Sequence, residues 1–182
     1  EVYYGENTRD YVVVNSSVEE FSYPTETDIP VYARYEGHGG VPISGFVRKF
    51  AYGWKFRDIN LFISGEITEG SRIQYNRNIQ DRVREVAPFL VLDSDPYVVV
   101  VNGELQWIQD AYTTTDRYPY STPTEEGFSY IRNSVKVVID PFNGSLFFYV
   151  VDPEAPVLRI YLKAFPDLFQ EFDAIDDLDP AL

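Results

Sequence analysis

Residues 97–112 read YVVVVNGELQWIQDAY, and this stretch decides the second half of the fold. Asn102-Gly103 at its centre is the strongest short-range signal for a two-residue hairpin turn, because both turn positions need a positive φ. The flanking residues are β-branched or aromatic, which favours strands. Residues 135–151, VKVVIDPFNGSLFFYVV, repeat the pattern around Asn143-Gly144. The sequence therefore predicts two β-hairpins.

Three segments outside the hairpins have helical periodicity, which predicts amphipathic helices that pack on one side of a sheet. The first follows Pro42, with apolar residues at Ile43, Phe46, Val47, Phe50, Ala51 and Trp54. The second covers residues 71–86, with Ile79, Val83 and Val86 expected inward and Arg77, Arg82 and Arg84 outward. The third begins at Asp152-Pro153, with an expected inward face of Val157, Ile160, Tyr161, Ala164 and Phe165.

The remaining segments are shorter. Residues 11–14, 18–23 and 31–35 are rich in valine and tyrosine and predict strands. Residues 59–63 predict a short apolar piece, and residues 171–182 are acidic and expected to fray. Because no linker or repeat divides the chain, we predict a single α+β domain over residues 1–182. Its expected architecture is an antiparallel sheet built from hairpins, with amphipathic helices packed on one side.

The chain has 182 residues, with no cysteine and no methionine. The absence of cysteine excludes disulfides, a thiol nucleophile and thiolate metal sites. The absence of methionine, also at position 1, suggests a fragment of a larger protein. No apolar run reaches the ~18 residues that a membrane-spanning helix requires, so we expect a soluble domain that is not itself inserted in a membrane.

The formal net charge is −14. Charge of this sign repels phosphate backbones and anionic lipid headgroups, so we expect neither a nucleic-acid partner nor binding to a membrane surface. Residues 34–86 differ from the rest, with nine Lys/Arg against six Asp/Glu. This basic region either orients a partner or forms a helical face that pairs with acidic loops of the same domain.

Most catalytic and metal-binding signatures are missing from the sequence. His38 is the single histidine, which excludes multi-histidine metal sites within one chain. Residues 37–40, GHGG, resemble an esterase oxyanion loop, but the chain has no Gly-x-Ser-x-Gly nucleophile motif and no phosphate-binding glycine motif. Asp93-Ser94-Asp95 either chelates Ca²⁺ or forms a plain turn, and we expect the turn. We expect solvated side chains at Asp173, Asp176, Asp177 and Asp179, and we predict no metal, no cofactor and no catalytic residue.

Residues 109–121, QDAYTTTDRYPYS, combine tyrosines, aspartates and an arginine beyond a predicted strand. Tyrosines offer rigid amphipathic surface, and arginine binds a carboxylate or phosphate through two parallel hydrogen bonds. The candidate ligand-binding residues are Asp110, Tyr112, Asp116, Arg117, Tyr118 and Tyr120. The alternative is an irregular segment held in place by its tyrosines, in which Arg117 pairs with Asp116 or Asp110.

Several strings of the sequence are similar to a known family. Residues 107–114, WIQDAYTT, and residues 129–140, SYIRNSVKVVID, are the longest of them. Residues 37–42 and 87–90 are further such strings. On these strings, nearly the whole chain resembles the bacterial uncharacterised protein family UPF0182. The resemblance implies a multi-pass membrane protein whose transmembrane helices precede a large soluble region; this chain would be part of that region and is expected to face outside the cytoplasm. It implies no reaction and no functional residues.

Two functions are therefore expected as alternatives. The first is a non-catalytic, extracytoplasmic binding or interaction domain of a bacterial membrane protein in the cell membrane. Its expected partners are its own transmembrane region and also other proteins or a second copy of the chain. The second is a hydrolase that acts on polar envelope material through carboxylates, tyrosines and Arg117. That enzyme requires these groups to converge in one pocket.

Overall fold

The computed structural model describes residues 1–24 and 30–172. Within these ranges the elements are, in chain order, β1 (Val12–Val14), β2 (Glu20–Pro24), β3 (Pro30–Ala33), β4 (Val41–Pro42), α1 (Phe46–Phe56), α2 (Asn60–Ile63), β5 (Arg72–Gln74), α3 (Ile79–Val86), β6 (Val91–Leu92), β7 (Tyr97–Val101), β8 (Glu104–Thr115), β9 (Tyr130–Ile139), β10 (Leu146–Val150), α4 (Pro156–Ala164) and β11 (Phe169–Glu171). The fold is α+β, as the sequence predicts.

Both predicted hairpins are present and form the centre of the largest sheet. Its strand order is β11-β10-β9-β8-β6. The strand β7 forms a hairpin with β8 and pairs with the edge of β8 that also carries β6. Asn102 and Gly103 join β7 to β8 with φ of 51° and 85°, the positive values that the sequence requires. In the second turn the Asp140 carboxylate accepts hydrogen bonds from the backbone N–H groups of Phe142 (2.8 Å) and Asn143 (3.2 Å).

The expectation of one antiparallel sheet is wrong in two details. Two further sheets, β1-β5-β4 and β2-β3, accompany the large one, and β11 pairs with β10 in parallel. Glu171 therefore belongs to a strand and does not fray, whereas residues 173–182 lie outside the described residues. The pairings of β5 with β1 and β4, and of β11 with β10, join segments that are not neighbours in the chain, so local periodicity does not indicate them, whereas β2 and β3 are consecutive strands.

The predicted helix over residues 71–86 is wrong in its first half. Residues 72–74 form β5 at the centre of the β1-β5-β4 sheet, where Ile73 is fully buried. The helix α3 begins at Ile79 because the Asn78 side chain caps it, accepting a hydrogen bond from the Asp81 N–H (3.0 Å). A β-strand was not apparent from the sequence because its neighbours come from residues 12–14 and 41–42.

The faces of α3 are predicted only in part. Ile79 and Val83 are buried as expected, but Val86 is half exposed. Two arginines expected to point outward bind backbone carbonyls instead. Arg77 Nε donates to the Tyr3 carbonyl (2.7 Å), and Arg82 Nε donates to the Gly144 carbonyl (2.6 Å). Only Arg84 of the three is exposed as expected.

The inward face of α4 is also mispredicted. The helix begins at Pro156, after residues 152–155 form a turn, and the side chain that it buries fully is Leu158. Ile160 and Ala164 are exposed, and Phe165 is 46% exposed although its ring stacks on Phe89. Val157 and Tyr161 are half-buried.

The main core lies on one face of the large sheet. Ile139 and Phe148 of the sheet pack there with Val83 of α3, Leu158 of α4 and the N-terminal Tyr4. Helices α3 and α4 thus lie on one side of the sheet, as expected. The opposite face has a smaller cluster, formed by Ile108, Val138 and Tyr149 with Val99 and Phe172 at its margin.

Candidate functional site

Helix α1 exposes the apolar stripe that its sequence predicts to be packed. Trp54 is 79% exposed, and no residue of the helix is buried. We call the exposed surface of α1 and α2 the aromatic face; it consists of Phe46, Val47, Phe50, Trp54, Ile59, Phe62 and Ile63. Except for the half-buried Phe62, each of these side chains is at least 55% exposed. The expectation that this helix packs its apolar stripe on the sheet is therefore wrong.

A second apolar side of the same helix explains the difference. Tyr52 and Phe56 pack on the core of the small β1-β5-β4 sheet, together with Tyr11 and Tyr75. The rings of Tyr11 and Phe56 stack at 4.6 Å between centroids, and those of Phe56 and Tyr75 meet edge-on at 6.0 Å. Because α1 is apolar on two sides and only one can face the small core, the other remains at the surface.

The aromatic face contains a groove between α1 and α2. Its volume is about 780 Å³, and its lining residues are Phe46, Phe50, Gly53, Trp54, Arg57, Ile59 and Phe62. The Phe62 ring contacts Phe46 edge-on at 5.2 Å and Phe50 edge-on at 6.1 Å, so it forms the floor. A Cβ at Gly53 would lie 3.2 Å from the Asp58 carbonyl oxygen, so the glycine allows the two helices to approach closely.

Arg57 is the single charged residue that lines this groove. It follows the last residue of α1 with φ of 55°, and the Asp58 N–H donates to the Gly53 carbonyl (3.0 Å). This is the left-handed helix end that usually carries glycine. Within residues 1–24 and 30–172, no hydrogen bond, ion pair or ring contact engages the Arg57 guanidinium.

Asp58, the residue after Arg57, is already occupied. Its carboxylate accepts hydrogen bonds from the Tyr11 hydroxyl and from the Asn60 N–H (2.9 Å). These bonds, the Tyr11 one first, lower the pKa of the Asp58 carboxyl. Burial, with the bond to Asp58, raises the pKa of Tyr11 to about 12. Asp58 therefore accepts these two hydrogen bonds and forms no ion pair with Arg57.

Two of the six predicted ligand-binding residues, Asp110 and Tyr112, lie on β8. The Tyr112 hydroxyl donates to Asp93 Oδ2 (2.8 Å), which lowers the pKa of the Asp93 carboxyl. Asp110 forms an ion pair with Lys136 at 3.8 Å, and Lys136 Nζ also donates to the Tyr97 hydroxyl (2.9 Å). The polar groups of this cluster are therefore paired with one another.

The other four candidates lie in the exposed connection between β8 and β9. Arg117 pairs with Asp116 at 3.8 Å, and both side chains are largely exposed. The Tyr118 ring stacks on Tyr130 at 4.9 Å, while Tyr120 is fully exposed with φ of 61°. Among the described residues, no hydrogen bond or ion pair connects these four to Asp110 or Tyr112.

This arrangement matches the structural alternative for residues 109–121. The single pocket of carboxylates, tyrosines and Arg117 that the hydrolase requires is not formed by the described part of the chain. Ligand binding by the six residues stays a prediction.

The other motifs of the sequence are accounted for as follows. Asp93 forms a turn, in which its Oδ1 accepts from the Asp95 N–H (3.1 Å). His38 is exposed, while its backbone N–H donates to Asn143 Oδ1 (2.8 Å). In the two described ranges, no group of three or more acidic, histidine or cysteine residues is arranged to hold a metal. The acidic residues 173–179 are outside those ranges, so the expectation for them is not addressed.

Sequence reasoning did not single out the aromatic face as a candidate site, although two signals were present. Tyr52 and Phe56 already form a second apolar side of α1. The segment from Phe46 to Arg57 also has four basic residues and no acidic one, in a chain whose net charge is −14.

Comparisons with known proteins agree with the resemblance seen in the sequence. The model of the uncharacterised protein family UPF0182 matches residues 1–178. A UPF0182 protein of Sulfurovum sp. (strain NBC37-1) is 50% identical over 177 residues, which are 94% of this chain and 19% of the relative. Similar proteins of Cupriavidus necator (50% over 175 residues; 96% and 19%) and Trichodesmium erythraeum (45% over 193 residues; 96% and 21%) show the same proportions.

The chain thus spans about a fifth of the length of the curated relatives that it matches. No solved structure matches it significantly. None of the helices in residues 1–24 and 30–172 is long and apolar enough to cross a bilayer. A family match over nearly all residues, together with relatives at half identity, shows that this chain belongs to the uncharacterised protein family UPF0182.

Proposed function

We propose that this chain is a non-catalytic interaction domain of a longer bacterial protein and that it docks onto the rest of its own polypeptide through the aromatic face. The observation that carries the proposal is the exposure of Phe46, Phe50 and Trp54 on one side of α1. Burying one large apolar side chain contributes about 1.5 to 3 kcal/mol, so covering this side would be strongly favourable. Contiguous exposed patches of this kind mark interaction surfaces.

The shape of the face supports docking of a specific partner. Phe62 and Gly53 bring α1 and α2 together, so the groove exists before any partner arrives. A preformed groove needs little reorganisation on binding, which favours a defined complex over loose adhesion. Grooves of this kind accept the apolar side of a helix or strand.

The length of the relatives supports the choice of partner. A domain that occupies about a fifth of a polypeptide has four-fifths of the same molecule within reach. Covalent linkage gives such an intramolecular partner a high effective concentration. In the membrane context that the family resemblance implies, that partner includes the transmembrane region, and the domain lies on the extracytoplasmic side.

A split-protein experiment tests the proposal. This chain and the remaining polypeptide of the longer protein are produced as two separate molecules in the same cells, and a tag on the first is used to recover the second. We expect co-purification with the unchanged chain and its loss with Trp54→Asp, since the substitution removes a large apolar side chain from the groove and puts a polar, charged one in its place. Equal recovery with Trp54→Asp would contradict the proposal.

The matched control is Ile160→Asp on α4. Ile160 is 66% exposed, similar to Trp54, but it lies outside the aromatic face. We expect this variant to co-purify normally. Thermal melting of both variants as isolated chains shows that neither result comes from unfolding, because surface substitutions usually change stability by less than about 0.5 kcal/mol.

A further inference from the structure

We infer that the segment docking in the groove carries a carboxylate that pairs with Arg57, next to the apolar side chains that fill the groove. The inference rests on the proposed function and deepens it, because it states the chemistry of the partner. It predicts an apolar segment of the same longer polypeptide with an aspartate or glutamate within one helical turn.

Arg57 differs from the other arginines of residues 34–86 in its surroundings. Arg72 donates to the carbonyls of residues 38–40, and Arg82 donates to the Gly144 carbonyl. Arg34 has no partner among the described residues either, but it does not line the groove. Arg57 lines the groove and has no partner in the described part of the chain. A guanidinium offers five N–H donors in a planar fork that matches a carboxylate.

Docking in the groove would also remove the Arg57 guanidinium from water. An apolar segment that covers Phe50 and Trp54 also covers Arg57, because all three line the same groove. Removing a charged group from water is unfavourable unless an opposite charge pairs with it. The partner must therefore supply an anionic group at this place, or the covered guanidinium would oppose docking.

The charge at the groove has the sign that this pairing requires. Residues 46–57 include Arg48, Lys49, Lys55 and Arg57 and no acidic residue, although the whole chain carries −14. Three of them are engaged elsewhere: Arg48 Nη1 donates to the Pro42 carbonyl (3.1 Å), Lys49 Nζ donates to the Ile67 carbonyl (3.3 Å), and Lys55 Nζ lies 4.0 Å from the centre of the Tyr75 ring. Arg57 is therefore the positive charge in the lining of the groove, and it is complementary to an acidic segment.

The backbone of Arg57 makes the side chain separable from the helix end. Its φ of 55° lies in the left-handed region, where a Cβ is strained and glycine is not. Glycine would end α1 equally well, so Arg57→Gly removes the guanidinium without disturbing the helix.

A photo-cross-linking experiment identifies the docking segment. p-Benzoylphenylalanine replaces Phe50 in the full-length protein, and the cross-linked peptide is sequenced by mass spectrometry. We expect a peptide of the same polypeptide with an Asp or Glu within one turn of its apolar residues. A cross-link to lipid, to a second copy, or to a segment without an acidic residue would overturn the inference.

Arg57→Gly then separates binding from structure. The isolated variant should melt at the same temperature as the unchanged chain or higher, because glycine relieves the left-handed strain. In the split-protein assay it should bind at least about tenfold more weakly, the loss expected for one charged hydrogen-bonded pair. The control Arg117→Gly, in the exposed β8–β9 connection, should change neither quantity.

Charge reversal completes the test. Arg57→Glu should abolish docking, and replacing the acidic residue of the cross-linked segment by arginine should restore it. If Arg57→Gly docks normally while Trp54→Asp does not, the inference on Arg57 is wrong and the proposed function stands. If Trp54→Asp also docks normally, the proposed function itself is wrong.

Discussion

At the scale of single residues, glycines and one asparagine join the small sheets to the large one. The Tyr35 hydroxyl donates to Asn143 Oδ1 (2.9 Å) and accepts from the Gly39 N–H (2.6 Å). The backbone of Gly39 lies directly against Asn143, which leaves no room for a side chain. The glycines of residues 37–40, whose sequence resembles an oxyanion loop, therefore allow close packing against the turn between β9 and β10.

We expect Gly39→Ala to destabilise the protein by about 1 to 3 kcal/mol, the usual cost of an overpacked site. The new Cβ would lie 2.7 Å from the Tyr35 hydroxyl and closer still to the Asn143 carbonyl oxygen, so both segments would have to move. Urea unfolding followed by tryptophan fluorescence measures the change. The control is Gly65→Ala, where no atom lies within 4 Å of the new Cβ and φ is not in the left-handed region. A similar loss in both variants would refute the close contact.

The bond between Tyr112 and Asp93 gives a pH-dependent expectation. The folded-state pKa of Asp93 lies below its ordinary value, with the Tyr112 bond as the first cause. The stabilisation is therefore fully present above the ordinary pKa of about 3.9 and is lost as the pH falls through the lower folded-state pKa. Tyr112→Phe should raise the pKa of Asp93, and its loss of stability should be present at pH 7 and shrink on acidification.

NMR titration of the Asp93 carboxyl carbon measures the pKa, and urea unfolding at several pH values measures the stability. Tyr120→Phe is the matched control, since the Tyr120 side chain is fully exposed. An unchanged Asp93 titration in Tyr112→Phe would show that the hydrogen bond does not set the pKa.

At the scale of elements, α1 packs on the small core through Tyr52 and Phe56, while its longer apolar stripe stays at the surface. Phe56 is half-buried against Tyr11 and Tyr75, whereas Phe50 is 55% exposed. We therefore expect Phe56→Ala to cost the isolated chain about 2 kcal/mol or more, while Phe50→Ala costs less than about 0.5 kcal/mol.

In binding, the larger effect should come from Phe50→Ala and the smaller from Phe56→Ala. Phe50→Ala should weaken docking in the split-protein assay because it removes part of the groove wall. Urea unfolding of the isolated chains gives the stability difference. If Phe50→Ala were as destabilising as Phe56→Ala, the aromatic face would be part of the core and not a docking surface.

Elements also differ in how well the sequence predicts them. The two hairpins follow from turn residues and strand-forming residues that are neighbours in the chain. The strand β5 does not, because it forms by pairing with β1 and β4, which both lie much earlier in the chain. Ile73 of β5 pairs with Val13 of β1 and with Val41 of β4. For α4, the apolar residues allow more than one inward face, and the sequence did not indicate that packing buries Leu158.

At the scale of the whole molecule, the charge distribution and the aromatic face point to the same surface. Basic residues and exposed aromatic side chains coincide on α1, whereas the rest of the chain is acidic. The sequence indicated a basic region over residues 34–86 but left open whether its charge served a partner or the domain itself. Arg72, Arg77 and Arg82 bind carbonyls within the domain, whereas Arg34 and Arg57 have no partner among the described residues, and of these two Arg57 lines the groove.

The sequence by itself determined the fold class, the two hairpins, the presence of helix α1 and the family, because these depend on local residue preferences and on long identical strings. Only the tertiary structure decided which side of α1 is covered and that Arg57, which has no partner among the described residues, lines the groove on the exposed side. A helix that is apolar on two sides has no local signal that selects one of them. That choice depends on packing with Tyr11 and Tyr75, which are distant in the chain.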